Sequence, residues 1–169
     1  MLTLSAIKNL HTKSIGFVLA YPQADRDVNI YMELPQGFTV GPESGRYVLK
    51  LQKNLYGLKQ AGHNWFEKLS SALWNLSIDT SKVDPCVFIR DDIIVLVYID
   101  DCLIFLQEKV KINQLIDKLK NKEKLDLIYE GDVKKYLGVE IEKNKEDKSI
   151  TSKQTFHIQR GIELDVLSD

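Results

Sequence analysis

Cysteine is scarce in this chain. Cys86 and Cys102 are the only two, too few for a disulfide framework, so a reduced, intracellular setting is the expectation. The three histidines, His11, His63 and His157, stand far apart, and no Cys/His spacing reads as a zinc site. They read as surface or packing residues. No apolar run approaches the ~20 residues needed to span a bilayer, so no membrane partner is expected. The start, Met1-Leu2-Thr3-Leu4-Ser5-Ala6-Ile7-Lys8, lacks a basic segment followed by an apolar one, so no secretory signal is expected. There is no internal repeat and no low-complexity linker. Net charge is also missing: the formal value is −1, so the bulk composition supplies no basic field for gripping a nucleic-acid backbone.

What is present is enough for one ordinary domain. The 169 residues are 44% apolar and 28% charged, the balance of a globular chain with a real core. Charge is unevenly distributed. Between Arg46 and Lys68 lie Lys50, Lys53 and Lys59, opposed by Glu67 alone. From Glu108 to Lys135 the lysines alternate with Asp117, Glu123, Asp126, Glu130 and Asp132, a mixture that predicts a solvated face.

Met1 to His11 carries Leu2, Leu4, Ile7 and Leu10 at loosely helical spacing. The run Ile15 to Tyr21, stopped by Pro22, predicts a buried strand. Two short alternating segments, Ile30 to Leu34 and Tyr47 to Leu51, are separated by proline and glycine. Leu58, Ala61, Trp65, Leu69, Ala72, Leu73 and Leu76 recur at three- and four-residue steps and predict a helix, with Trp65 and Trp74 as core residues. Cys86 to Ile89, Ile93 to Tyr98 and Cys102 to Leu106 read as strands, the last two joined through Ile99-Asp100-Asp101 as a tight hairpin. A second helix carries Ile112, Leu115, Ile116 and Leu119, and late strands are expected at Tyr136 to Ile141 and Ile150 to Gln154. The order strand, helix, hairpin, helix, strand favours an α+β domain of split βαβ, ferredoxin-like layout, with both helices on one face of a mostly antiparallel sheet.

Asp100 and Asp101 stand between two strongly apolar strands, at what reads as a sheet edge. Adjacent carboxylates on a rigid hairpin suit the hard divalent cations of two-metal phosphoryl transfer. Taken alone, Asp-Asp is better explained as ordinary turn chemistry.

The surrounding motifs reverse that preference. Tyr98-Ile99-Asp100-Asp101 resembles the Tyr-x-Asp-Asp box of reverse transcriptases. Leu55-Tyr56-Gly57-Leu58-Lys59-Gln60-Ala61 is similar to the box that distinguishes the copia-type enzymes of LTR retrotransposons. Phe17 to Ala24, with Ile30 to Phe38, resembles that family's first palm motif and its extension, and Tyr136 to Ile141 resembles the segment after the second palm helix. Four motifs in order make the resemblance specific. It implies an RNA-directed DNA polymerase palm, a nucleotidyltransferase taking an RNA or DNA primer–template and dNTPs, with Mg²⁺ or Mn²⁺ as cofactor. By resemblance Asp100 and Asp101 are the catalytic and metal-binding residues. Tyr21 falls where an aromatic blocks a 2′-hydroxyl; otherwise it is a strand-end aromatic. Gly57 falls where backbone approaches the nascent base pair; otherwise it is a helix-start glycine. Lys59 would touch phosphate or remain solvated. Leu137 and Gly138 correspond to the primer grip or to a core strand. Leu34-Pro35-Gln36-Gly37 imitates a nucleotide-binding box of retroviral enzymes but lies too early, and no role is assigned to it.

One departure bears on activity. The family's first motif places an aspartate five residues before its gate aromatic, and here that position is Gly16. Asp25 and Asp27 lie past Pro22, tens of ångströms along an extended chain at ~3.3 Å per residue. Loss of a shared metal-binding carboxylate predicts a rate loss on the order of 10³-fold or more, at ~1.4 kcal/mol per tenfold. The chain is therefore expected to be a single palm-like domain over 1–169, truncated at both ends, with the fingers largely missing and catalysis lost. The competing expectation is a non-catalytic nucleic-acid-binding or interaction remnant. Local departures at Lys122 to Tyr129 fit a decayed copy.

Overall fold

The computed structural model describes residues 1–38, 40–41, 47–144, 146–147, 149–155 and 157–160. Arg46 of the basic stretch, the turn residues Pro42 and Gly45, and the chain end at Leu167-Ser168-Asp169 lie outside these residues. In chain order the elements are α1 (Leu2–Ile7), β1 (His11–Phe17), α2 (Ala20–Gln23), β2 (Tyr31–Glu33), β3 (Val48–Lys50), α3 (Ala61–Trp74), β4 (Asp79–Thr80), β5 (Val87–Arg90), β6 (Ile93–Tyr98) and β7 (Asp101–Leu106). Then come α4 (Lys111–Asp117), extended by a π-helical turn over Lys118–Lys122, β8 (Leu127–Asp132), β9 (Lys135–Tyr136), β10 (Val139–Lys143) and β11 (Ile150–Lys153).

A six-stranded sheet runs β4-β5-β6-β7-β1-β8, with its neighbours antiparallel. Smaller sheets are β11-β10-β9 and β2-β3. The protein is thus α+β with antiparallel sheets. The three- and four-residue spacing places Trp65, Leu69, Ala72 and Leu73 on the buried stripe of α3. They share one core cluster with Ile112, Leu115, Ile116 and Leu119, and with Ile15, Phe17, Val95, Val97, Ile104 and Leu106 of the sheet. Both helices therefore cover the same sheet face. Leu103 and Phe105 point the other way, into a smaller cluster that Val133 and Tyr136 help cover. β7 is buried on both faces, which is why it reads as an unbroken apolar run.

Five expectations need correction. β1 begins at His11 and ends at Phe17, because buried Thr12 and Lys13 have internal partners: Thr12 Oγ1 lies 2.9 Å from Ser5 Oγ, and Lys13 pairs with Asp132. Leu19 then adopts a left-handed conformation (φ 48°) and the chain turns into α2, so Tyr21 is helical and not a strand end. Pro22 fits there because first-turn amides need no helical acceptor. The Asp-Asp hairpin is not at a sheet edge, since β7 lies between β6 and β1. Tyr136 to Ile141 is not one strand but β9, a turn at Leu137-Gly138, and β10. Trp74 is not core: it is 52% exposed, and its indole donates to Thr80 Oγ1 at 2.9 Å. β8 lacks a strand signature in the sequence because only Leu127 of it is buried; as an outer strand it carries Glu130 and Asp132 in place of an alternating apolar pattern.

Candidate active site

The hairpin places Tyr98 opposite Asp101 and leaves Ile99-Asp100 as a two-residue tip. Ile99 has φ 52°, an uncommon conformation for a β-branched residue, and the surroundings hold it there. The indole N–H of Trp65 donates to the Ile99 carbonyl at 2.8 Å. The amide of Phe17 donates to the Asp100 carbonyl at 2.6 Å. Phe17 and Trp65 meet edge to face, with ring centroids 5.0 Å apart. The first motif, the helix α3 and the core thus fix the position of both carboxylates.

Asp100 is half-buried. Its Oδ2 accepts a 2.9 Å hydrogen bond from the Tyr56 hydroxyl, while Oδ1 is buried without a partner. Burial, with the hydrogen bond to Asp100 and its charge, raises the Tyr56 phenol above the usual tyrosine range. Tyr56 stacks on Tyr21 at 4.4 Å. Asp101 projects from β7 beside Gly16, its cross-strand partner on β1. Burial and the charges of Glu130 and Asp100 hold the Asp101 carboxyl above the ordinary carboxylate range.

Most of the residues singled out in the sequence gather here. Asp101, Leu137 and Gly138 line one cleft of about 320 Å³. Tyr21 reaches Asp100 through Tyr56. Gly57 (φ +95°) and Lys59 occupy the exposed turn between Tyr56 and α3, and neither is brought against the carboxylates. Asp25 and Asp27 are engaged elsewhere, with Lys53 at 3.7 Å and Asn64 at 3.1 Å. Three participants were missed. Tyr56 was visible in its motif without a role. Glu130 and Ser14 gave no signal, because only strand register carries them to the site. Glu130 is exposed, as a solvated face requires, and its Oε1 lies 3.2 Å from where a Cβ on Gly16 would sit.

Carboxylate oxygens match the donor preference of Mg²⁺ or Mn²⁺, and the orphaned Oδ1 of Asp100 suits a cation. Among the described residues, however, no three His, Cys, Asp or Glu side chains converge closely enough to hold a metal ion as they stand. No helix among them is long and apolar enough to cross a membrane.

Comparison with known proteins gives a consistent answer. The family described as reverse transcriptase (RNA-dependent DNA polymerase) matches residues 1–167. The chain is 32% identical to the retrovirus-related Pol polyprotein from transposon TNT 1-94 of Nicotiana tabacum, over 96% of this chain and 12% of that protein. It is 32% identical to the Pol polyprotein from transposon RE2 of Arabidopsis thaliana, over 88% of this chain and 10% of that protein. It is 29% identical to the transposon Ty1-BL Gag-Pol polyprotein of Saccharomyces cerevisiae, over 70% of this chain and 7% of that protein. The chain therefore spans only a small part of these polyproteins. No solved structure matches it. With a Tyr-x-Asp-Asp hairpin held by α3 and a match along nearly its full length, the chain belongs to the reverse transcriptase (RNA-dependent DNA polymerase) family, alongside the Pol polyproteins of Ty1/copia-type retrotransposons.

Proposed function

We propose that this chain is the palm of a retrotransposon reverse transcriptase, a nucleotidyltransferase fold whose own polymerase activity is crippled at Gly16. The observation that carries the reading is the fixed Asp100–Asp101 hairpin, tied to the first motif by the Phe17 amide and to α3 by Trp65. The strand order β6-β7-β1-β8, with α3 and α4 on one face, supports a split βαβ palm. Asp100 and Asp101 are the residues that would hold Mg²⁺ or Mn²⁺. When bound, such ions stabilise charge developing on a transferring phosphoryl group. Tyr21, stacked on Tyr56, would wall the nucleotide site, with Gly57 and Lys59 beside it. Leu137 and Gly138 would position a primer end across the cleft from Asp101.

Primer extension with Mg²⁺ and with Mn²⁺, on a primed RNA template, tests this. The chain is expected to extend poorly or not at all, and Gly16→Asp to extend at least ~10³-fold faster. Efficient extension by the unaltered chain would overturn the assignment of Gly16. Failure of both, with a cooperative fold intact, would favour the second reading, a non-catalytic nucleic-acid-binding module. Exposed Lys50, Lys53 and Lys59 motivate that reading, whereas Lys68 is half-buried and donates to the Gln23 carbonyl at 2.6 Å. Its signature is primer–template affinity that falls steeply with salt.

A further inference from the structure

Register along β1 is interrupted in one place. Ser14 faces Gly131 and Ile15 faces Tyr129, so Glu130 is the extra residue of a bulge in β8. Bulges re-aim side chains and are over-represented beside active sites. Here the bulge carries the Glu130 carboxylate over Gly16, where no side chain competes for the space. A Cβ on Gly16 would lie 3.2 Å from Glu130 Oε1 and 3.8 Å from Asp101 Oδ1. The two carboxylates thus flank the volume that a first-motif side chain would fill.

The cleft beside them holds a polar group left unsatisfied by the fold. Ser14 is only 7% exposed and lines the cleft. The Tyr136 hydroxyl, on the same cleft, is buried without a partner. Buried polar atoms without partners are uncommon and call for a ligand or bound water. A hydrated cation supplies both: direct contact for carboxylates, and water for the Tyr136 hydroxyl.

We propose that Glu130 stands in for the carboxylate missing at Gly16, and that it binds one divalent cation together with Asp101 in the cleft floored by Ser14. The inference rests on the polymerase reading of the Asp100–Asp101 hairpin. Glu130 is exposed, so its side chain can rotate toward Asp101. Lys135 also lines the cleft and is the competing cation. The site differs from the family's in drawing its carboxylate from β8 instead of β1, so an ion would be held by a ligand from a neighbouring strand with a longer side chain, which would allow binding without efficient polymerisation.

The test is Mn²⁺ binding to the full chain, read by electron paramagnetic resonance of free Mn²⁺ and by calorimetry, with no substrate present. Glu130→Gln is expected to weaken binding at least ~10-fold. Asp25→Asn, remote from the cleft, is expected to leave it unchanged, and Gly16→Asp in the Glu130→Gln background to restore it. Circular dichroism melting confirms that each variant is folded. Equal binding by parent and Glu130→Gln, or no Mn²⁺ binding by the parent, overturns the proposal. A further titration separates it from the polymerase reading: Glu130-dependent binding in a chain that ignores primer–template at low salt would remove that reading and leave the cation site standing. Primer–template binding with Glu130-independent Mn²⁺ affinity would remove the cation site alone.

Discussion

Replacing Trp65 with phenylalanine isolates the link between core and catalytic hairpin. Trp65 is 1% exposed, packs edge to face on Phe17, and donates its indole N–H to the Ile99 carbonyl. Phenylalanine preserves an aromatic ring against Phe17 but removes the donor and shrinks the side chain. The smaller ring leaves a void worth ~1–3 kcal/mol in lost transfer and cavity terms. The hydrogen bond adds ~1 kcal/mol, at the low end because Ile99 is 45% exposed and water can reach it. The total of ~2–4 kcal/mol corresponds to a fall in Tm of roughly 4–16 °C for a domain of this size. Thermal and urea unfolding measure the loss. Amide exchange then reports on the hairpin, where the Phe17 amide bonded to the Asp100 carbonyl should lose protection more than amides in β5. A Tm change below about 2 °C, or undiminished protection of Phe17, would refute the claim that Trp65 anchors the tip.

Gly138→Ala should destabilise the β9–β10 turn. Its φ of +80° penalises any Cβ by ~1 kcal/mol, and that Cβ would lie 2.6 Å from His157 Nε2; chemical denaturation should show the loss. Asp132→Asn should cost more than Lys13→Met, because it leaves the buried Lys13 ammonium without its carboxylate, whereas methionine removes the charge as well; exposure of Asp132 to water keeps the loss to ~1 kcal/mol. Unfolding free energies of the two variants settle the order. The Asp92 carboxyl is pulled down to about 2 by its hydrogen bonds to Arg90 and then Lys111. A depressed carboxyl stabilises the fold above its unfolded value of 3.8 and loses that contribution as pH falls toward about 2. Asp92→Asn should therefore flatten the stability profile over that window, and an unchanged profile would count against the pairing.

The sequence by itself determined the parts whose physics is local. Apolar runs on either side of Asp100-Asp101 defined the hairpin, since alternate side chains of β6 and β7 bury regardless of what else the chain does. The stripe through Trp65, Leu69 and Leu73 marked α3, because helical spacing alone collects those residues on one face. Motif order was likewise legible, and with it the family. Tertiary structure decided the remainder. The start of β1 was hidden because Thr12 and Lys13 look solvent-facing until Ser5 and Asp132 supply partners from other elements. β8 was hidden because an outer strand need bury only Leu127. Tyr56 meets Asp100 across 44 residues, and a one-residue bulge opposite Ser14–Ile15 carries Glu130 over Gly16. Such neighbours are set by strand register and not by local composition. A glycine in the first motif reads in the sequence as a missing carboxylate, and only the fold brings the Glu130 carboxylate beside it.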